Sequence, residues 1–275
     1  MSVNQLGRIL CLWNTYAESC CREAESLVER LKAAGADVVT SADRFDATIE
    51  LLVLLGGDGF LMESLQELDY PDVPVFGVNF GSVGFLMNRK ACLPQFVDTI
   101  KDGLSVEERH PILQATVELD GGEQKSICAF NDFFLERMTR QSVRLLVALD
   151  GVEFNHYAGD GFVFCSAAGS TAYNLTAGGP VLQPGLEAII MTPLYPHRAV
   201  PFSSMQFPLV VPLSASIEIR ASEPVKRPMR LVADGHAIES VVRVSIGFSG
   251  KRARLLRLPG HTFVTTLTRK IIGET

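Results

Sequence analysis

Residues 51–60 read LLVLLGGDGF, five apolar residues running unbroken into Gly56-Gly57-Asp58-Gly59. An apolar run that stops at glycines reads as a buried strand entering a loop. The pattern FLMESLQEL (60–68) follows directly and is helical. A helix that starts after such a loop presents free N–H groups, a ready anion site. Asp58 is the anomaly, because it puts a carboxylate where an anion would be received.

The flanks repeat the alternation. RILCLW (8–13) reads as a strand, and residues 17–34 place Cys20, Cys21, Ala24, Leu27, Val28 and Leu31 at helical spacing before Gly35, a C-terminal cap. ADVVT (36–40), IELLVLL (49–55) and VPVFGVN (73–79) read as strands, and PQFVDTIKDG (94–103) as a helix closed by Gly103. Strands alternating with helices predict a parallel, layered α/β domain over 1–105. From about residue 106 the texture turns β-rich: ILQATVEL, KSICAF, VRLLVALDGVEF, GFVFCS, FPLVVPL, ASIEIRA and SVVRVSIGF, with turn signals such as LDGG and LDGV. This predicts a second, mainly β domain over 106–255, a sandwich or layered sheets. FVTTLTRKII (263–272) returns to a helical pattern, and residues 256–275 are expected to pack back on the first domain.

Composition sets the outer bounds. The 275 residues are 47% hydrophobic and 20% charged, which suits a globular protein with real cores. A net charge of -6 argues against whole-surface attraction to nucleic acid or anionic membrane. No apolar run approaches the ~18 residues of a membrane span, and MSVNQLGRIL lacks the apolar stretch of a secretory signal, so a cytoplasmic location is expected. The cysteines at 11, 20, 21, 92, 128 and 165 form no Cys-x-x-Cys pair and no zinc spacing, and are expected to be core residues in a reducing compartment.

GGDG is neither a P-loop, since no Gly-Lys-Ser/Thr follows, nor a dinucleotide fingerprint, since Met62 takes the third glycine position. It equally suits a tight turn with Asp58 capping the helix. A second glycine loop, GVNFGSVGFLMN (77–88), follows the next strand, and loops at the carboxyl ends of neighbouring parallel strands share a crevice. The third stretch, GDGFVFCSAAGSTAYNLTAGGP (159–180), joins Asp160 to small residues and to Tyr173, a stacking face for a flat ligand. GSTAY equally suits a helix start capped by Ser170 or Thr171.

Taken together, GGDG, NFGSVGFL, FND (130–132), GSTAYNLTAGGP, MTPLYPH (191–197), PLVVP (208–212) and DGH (234–236) resemble the NAD kinase family, in that family's order and over nearly the whole chain. The resemblance implies an α/β N-terminal domain with a parallel sheet plus a mainly β C-terminal domain, with the site between them. It implies Mg2+-dependent transfer of the γ-phosphoryl group of ATP, or of polyphosphate in some relatives, to the 2′-hydroxyl of the adenosine ribose of NAD. A homodimer or homotetramer is implied as well, with NAD and ATP as the molecules bound.

Carried over by position, Asp58 is the catalytic candidate, facing the ribose hydroxyl, and Gly57 and Gly59 bring backbone close to the ligands. Phe85 lies near the adenine. Asn131 and Asp132 hold ribose hydroxyls, and Asp160 lies toward the nicotinamide. Thr171 and Ala172 meet the adenine edge beside Tyr173. Thr176 stands where the family commonly has serine, and His236 where it has glutamine or histidine. No metal ligand is assigned. Four positions depart from the pattern: Phe60 for a small or polar residue, Glu63 and Ala158 for basic ones, and Asp132 for glutamate. They leave donor choice and rate open, and Phe60, Glu63 and Ala158 motivate the competing reading of a catalytically weak NAD(P)-binding sensor. A lipid kinase of the same superfamily is the other competitor, opposed by the GSTAYNLTAGGP block. Arg137, Arg140, Arg144 and Arg198 are the candidate phosphate cations.

Overall fold

The computed structural model describes residues 7–81, 84–198, 204–260 and 262–272. Ser82 and Val83 of the second glycine loop lie outside them. The chain divides into two compact units, Met1–Arg109 with Arg252–Thr275, and His110–Lys251.

In the first unit, β1 (Arg8–Trp13) lies between β2 (Asp37–Val39) and β3 (Ile49–Gly56), and β3 continues to β4 (Pro74–Asn79) and the short β5 (Asn88–Arg89), all parallel. Every residue of β3 except Glu50 is buried, as expected of a parallel strand covered on both faces. Arg254 and Leu255, at the end of the strand His236–Arg257, pair in parallel with Pro74 and Val75. Helix α1 (Glu18–Ala33) buries Cys20, Ala24, Leu27, Val28 and Leu31. Its end is closed at Gly35, whose φ of +92° lets the Gly35 and Ala36 N–H groups return to the Lys32 and Leu31 carbonyls. Helix α2 (Asp58–Glu67) starts one residue after Gly57, and α3 (Phe96–Lys101) packs Phe96 edge-on against Phe76 at 4.5 Å.

The second unit is antiparallel. Its strands are β6 (Val106–Leu119, in this unit from His110), β7 (Gln124–Ala129), β8 (Asp132–Arg137), β9 (Val143–Leu149), β10 (Val152–Gly159), β11 (Gly161–Cys165), β12 (Ala188–Leu194), β13 (Leu209–Pro212), β14 (Ile217–Ala221), β15 (Met229–Ala233) and β16 (His236–Arg257, in this unit as far as Lys251). One layer runs β13-β12-β11-β8-β15-β16. The other runs β10-β9-β14-β16, and β6 pairs with β7 and β16. Alternate side chains of both layers, among them Leu113, Phe133, Val147, Phe162, Met191 and Ile219, make one core. The stretch 240–248 belongs to a 22-residue strand much longer than its pattern suggested. Helix α4 (Tyr173–Thr176) and the tight turn Ala168–Thr171 interrupt the strands between β11 and β12. A parallel α/β part and a mainly β part are the fold class expected from the sequence.

Candidate active site

In the first unit the glycine turn delivers a carboxylate to the head of α2. Asp58 is the first helical residue, and the capping position falls to Gly57 with no side-chain bond. The expected cap is therefore not made. The Asp58 carboxylate instead accepts the N–H of Phe85 at 2.6 Å and of Leu86 at 3.3 Å. The second glycine loop thus grips the first. Burial pushes the Asp58 carboxyl above the ordinary carboxylate range, opposed by these two N–H groups and by the charges of Arg257 and Lys270. Gly57 and Gly59 have open space where a side chain would stand, so their backbone is accessible to a ligand. A side chain on Gly56 would meet the Phe60 ring at 2.7 Å, so that ring covers the strand end. Glu63 is exposed on the helix.

In the second unit the FND, GSTAY and DGH segments converge. Asp234 stands at a hairpin turn, with φ of +44° and Gly235 at +95°. Its carboxylate accepts the N–H groups of Phe130, Asn131 and Asp132 at 2.6, 3.0 and 3.2 Å. Asp132 is 6% exposed and accepts the Tyr173 N–H, at the head of α4. Burial first, and the neighbouring Asp234 charge second, push its carboxyl up to about 7. Asp132 thus serves the helix start that Ser170 or Thr171 was expected to cap. The Ser170 hydroxyl turns inward to the Ala167 carbonyl and accepts the Leu182 N–H. Gly169 abuts this corner so tightly that a Cβ there would lie 2.0 Å from the Asn131 carbonyl oxygen. Buried Asn174 bonds the carbonyls of Ser170 and Pro180 and accepts the Thr192 hydroxyl, pinning the loop.

Tyr173 is exposed at one edge of this corner, with Phe134 packed edge-on against it at 5.2 Å. A cavity of about 190 Å³ opens beside it, lined by Glu136, Arg137, Asp160, Tyr173, Leu194 and Tyr195. Thr171 and Ala172 are partly exposed, and Thr176 and His236 are exposed. The charge of His236 acts on Asp234. Ala158 is fully buried in β10, its N–H donated to the Ser204 hydroxyl.

Of the expected cluster Arg137, Arg140 and Arg144, the first and third are held in ion pairs and Arg140 is exposed. Arg137 pairs with Asp160 at 2.6 Å, Arg144 with Glu223 at 3.0 Å, and Arg198 donates to Gln206. Asp234, Gly169 and Asn174 are the residues the motifs contained without singling out. The Asp-Gly turn was the signal available for Asp234. Among the described residues no three His, Cys, Asp or Glu side chains form a metal-holding group. Mg2+ retains several waters and is commonly held by one or two carboxylates together with substrate phosphates.

Residues 12–103 match the ATP-NAD kinase N-terminal domain and residues 131–252 the ATP-NAD kinase C-terminal domain. An NAD kinase of Xanthomonas campestris pv. campestris (strain 8004) is 35% identical over 232 residues, 82% of this chain and 84% of that one. An NAD kinase of Symbiobacterium thermophilum is 32% identical over 271 residues, covering 90% and 93%. Among solved structures, yeast NADH kinase complexed with NADH superposes with a TM-score of 0.84 at 20% identity, over 98% of this chain and 89% of that chain. An NAD kinase from Archaeoglobus fulgidus in complex with ATP gives 0.77 at 24% identity, over 98% and 100%. These two likenesses show the fold, and the sequence matches show the family. With both family domains in order along one chain, the protein belongs to the NAD kinase family.

Proposed function

We propose that this protein transfers the γ-phosphoryl group of ATP to the 2′-hydroxyl of the adenosine ribose of NAD, giving NADP. The observation that carries this is the Asp58 carboxylate, fixed by two backbone N–H groups beside the open backbone of Gly57 and Gly59, in a chain matched by both family domains. Asp58 accepts the proton of the attacking hydroxyl while the new O–P bond forms and the bond to ADP breaks. Its raised pKa brings it nearer the range useful to a general base. Asn131 and Asp132 hold ribose hydroxyls of the dinucleotide. Thr171, Ala172, Tyr173 and Phe85 pack on the adenine. Thr176 and His236 border the dinucleotide, and Asp160 faces its nicotinamide end. Mg2+, when bound with the donor phosphates, would supply charge neutralisation there. On the same reading the protein acts in the cytoplasm as a homodimer or homotetramer.

Incubation with NAD+ and Mg-ATP, and separately with Mg-polyphosphate, tests the proposal. Chromatography and phosphorus NMR identify the product. Dinucleotide bearing a new 2′-phosphate is the expected outcome. Tight NAD+ binding without product from either donor would replace the kinase with the sensor reading.

A further inference from the structure

The Asp58 carboxylate is oriented by the Phe85 and Leu86 N–H groups, so whatever fixes that peptide fixes the reacting group. One side chain reaches it from 172 residues away. The Arg257 guanidinium is 4% exposed, donates from Nη2 to the Phe85 carbonyl at 3.1 Å, and pairs through Nε with Glu108 at 2.8 Å. Its own backbone is clamped on both sides. The Asn88 side chain, 1% exposed, donates to the Leu256 carbonyl at 2.8 Å and accepts the Leu258 N–H at 3.1 Å. The segment 85–88 therefore both holds Arg257 and is held by it, and all of these groups belong to the first unit.

We propose that Arg257 is a positioning residue for Asp58, locking the Phe85–Leu86 peptide through the Phe85 carbonyl, with Glu108 as its anchor. The inference rests on the reading of Asp58 as the reacting carboxylate. A buried cation with one anchored nitrogen and one aimed at a loop carbonyl is costly to desolvate, and simple packing would be met by an apolar side chain of similar size. Its charge also favours the ionised form of Asp58, as do the two N–H groups it steadies. Loss of Arg257 therefore raises the pH at which Asp58 becomes a base.

The test compares wild type, Arg257→Met, Arg257→Lys, Glu108→Gln and Asp58→Asn in NADP+ formation from NAD+ and Mg-ATP, with NAD+ affinity and thermal unfolding measured on each. Arg257→Met is expected to lower kcat by about 30-fold, within what a small misplacement costs, with KM for NAD+ changed less than about 3-fold. Its acidic limb of kcat against pH moves to higher pH, and Arg257→Lys recovers part of both effects. Glu108→Gln gives the same changes on a smaller scale, and carries the test where Arg257→Met unfolds. Folded variants with wild-type kcat and an unmoved limb overturn the inference while Asp58→Asn stays inactive. An active Asp58→Asn overturns the reading of Asp58 itself.

Discussion

Asp132 is a buried carboxyl with a second carboxylate, Asp234, for a neighbour. Its raised value, about 7, sets a definite sign. The neutral form is favoured in the folded state, so its contribution to stability is complete below the unfolded value of 3.8 and is lost as pH rises through about 7. Asp132→Asn abolishes that loss. Thermal unfolding at pH 4 and pH 8 should show the variant near parity at pH 4 and more stable than wild type at pH 8, by on the order of 5 °C. A difference independent of pH would contradict the assignment. Asp132 was visible in the sequence as part of FND. The reason its charge is uncomfortable was not visible, because Asp234 lies about a hundred residues further along the chain.

At the scale of elements, a turn and a loop do the work that motifs alone do not express. The Asp234–Gly235 turn closes the hairpin of β15 and β16 and spends its carboxylate on the three N–H groups that lead into β8. Asp234→Ala leaves those donors without an acceptor and puts alanine at positive φ. Urea denaturation should register a loss of about 2–4 kcal/mol. Asp234→Asn keeps an acceptor oxygen and tolerates the left-handed backbone, so its loss is smaller. Equal losses would show that the carboxylate is idle. Gly169→Ala is a second test, because the added methyl meets backbone rather than a flexible side chain. It should cost about 1–3 kcal/mol and weaken NAD+ binding. Unchanged affinity and stability would contradict the tight corner.

The elements themselves were largely legible, for physical reasons. β3 carries the unbroken apolar run 51–55 because both its faces are covered, and α1 carries its buried residues at 3.6-residue spacing. The N-terminal caps were not legible, although the C-terminal one at Gly35 was. Asp58 and the GSTAY hydroxyls look like helix caps in one dimension, yet the folded chain gives Asp58 to a loop 27 residues away and turns Ser170 inward. Tertiary partners outbid local ones there, and sequence spacing carries no record of them. Arg257 was missed on the same ground, since its partners Glu108 and Phe85 are 149 and 172 residues distant.

At the scale of the whole molecule, the chain's two units differ in continuity. His110–Lys251 is one uninterrupted segment with its own core. The other unit needs Arg254 and Leu255 as strand partners for β4, and Asn88 needs the 256–258 backbone. A fragment of residues 110–251 should therefore unfold cooperatively in circular dichroism. A fragment of 1–109 should lack a cooperative transition until a peptide of residues 252–275 is added. Cooperative unfolding of 1–109 alone would contradict this division of labour.

The most direct measurement is steady-state NADP+ formation by wild type and Asp58→Asn, with NAD+ binding measured on both. The account predicts turnover by wild type. It predicts a loss of about 10²–10⁴-fold in kcat for the variant, with NAD+ affinity within about 3-fold. A variant that turns over within about 2-fold of wild type would contradict the role of Asp58, and a wild type that binds NAD+ without making NADP+ would contradict the kinase.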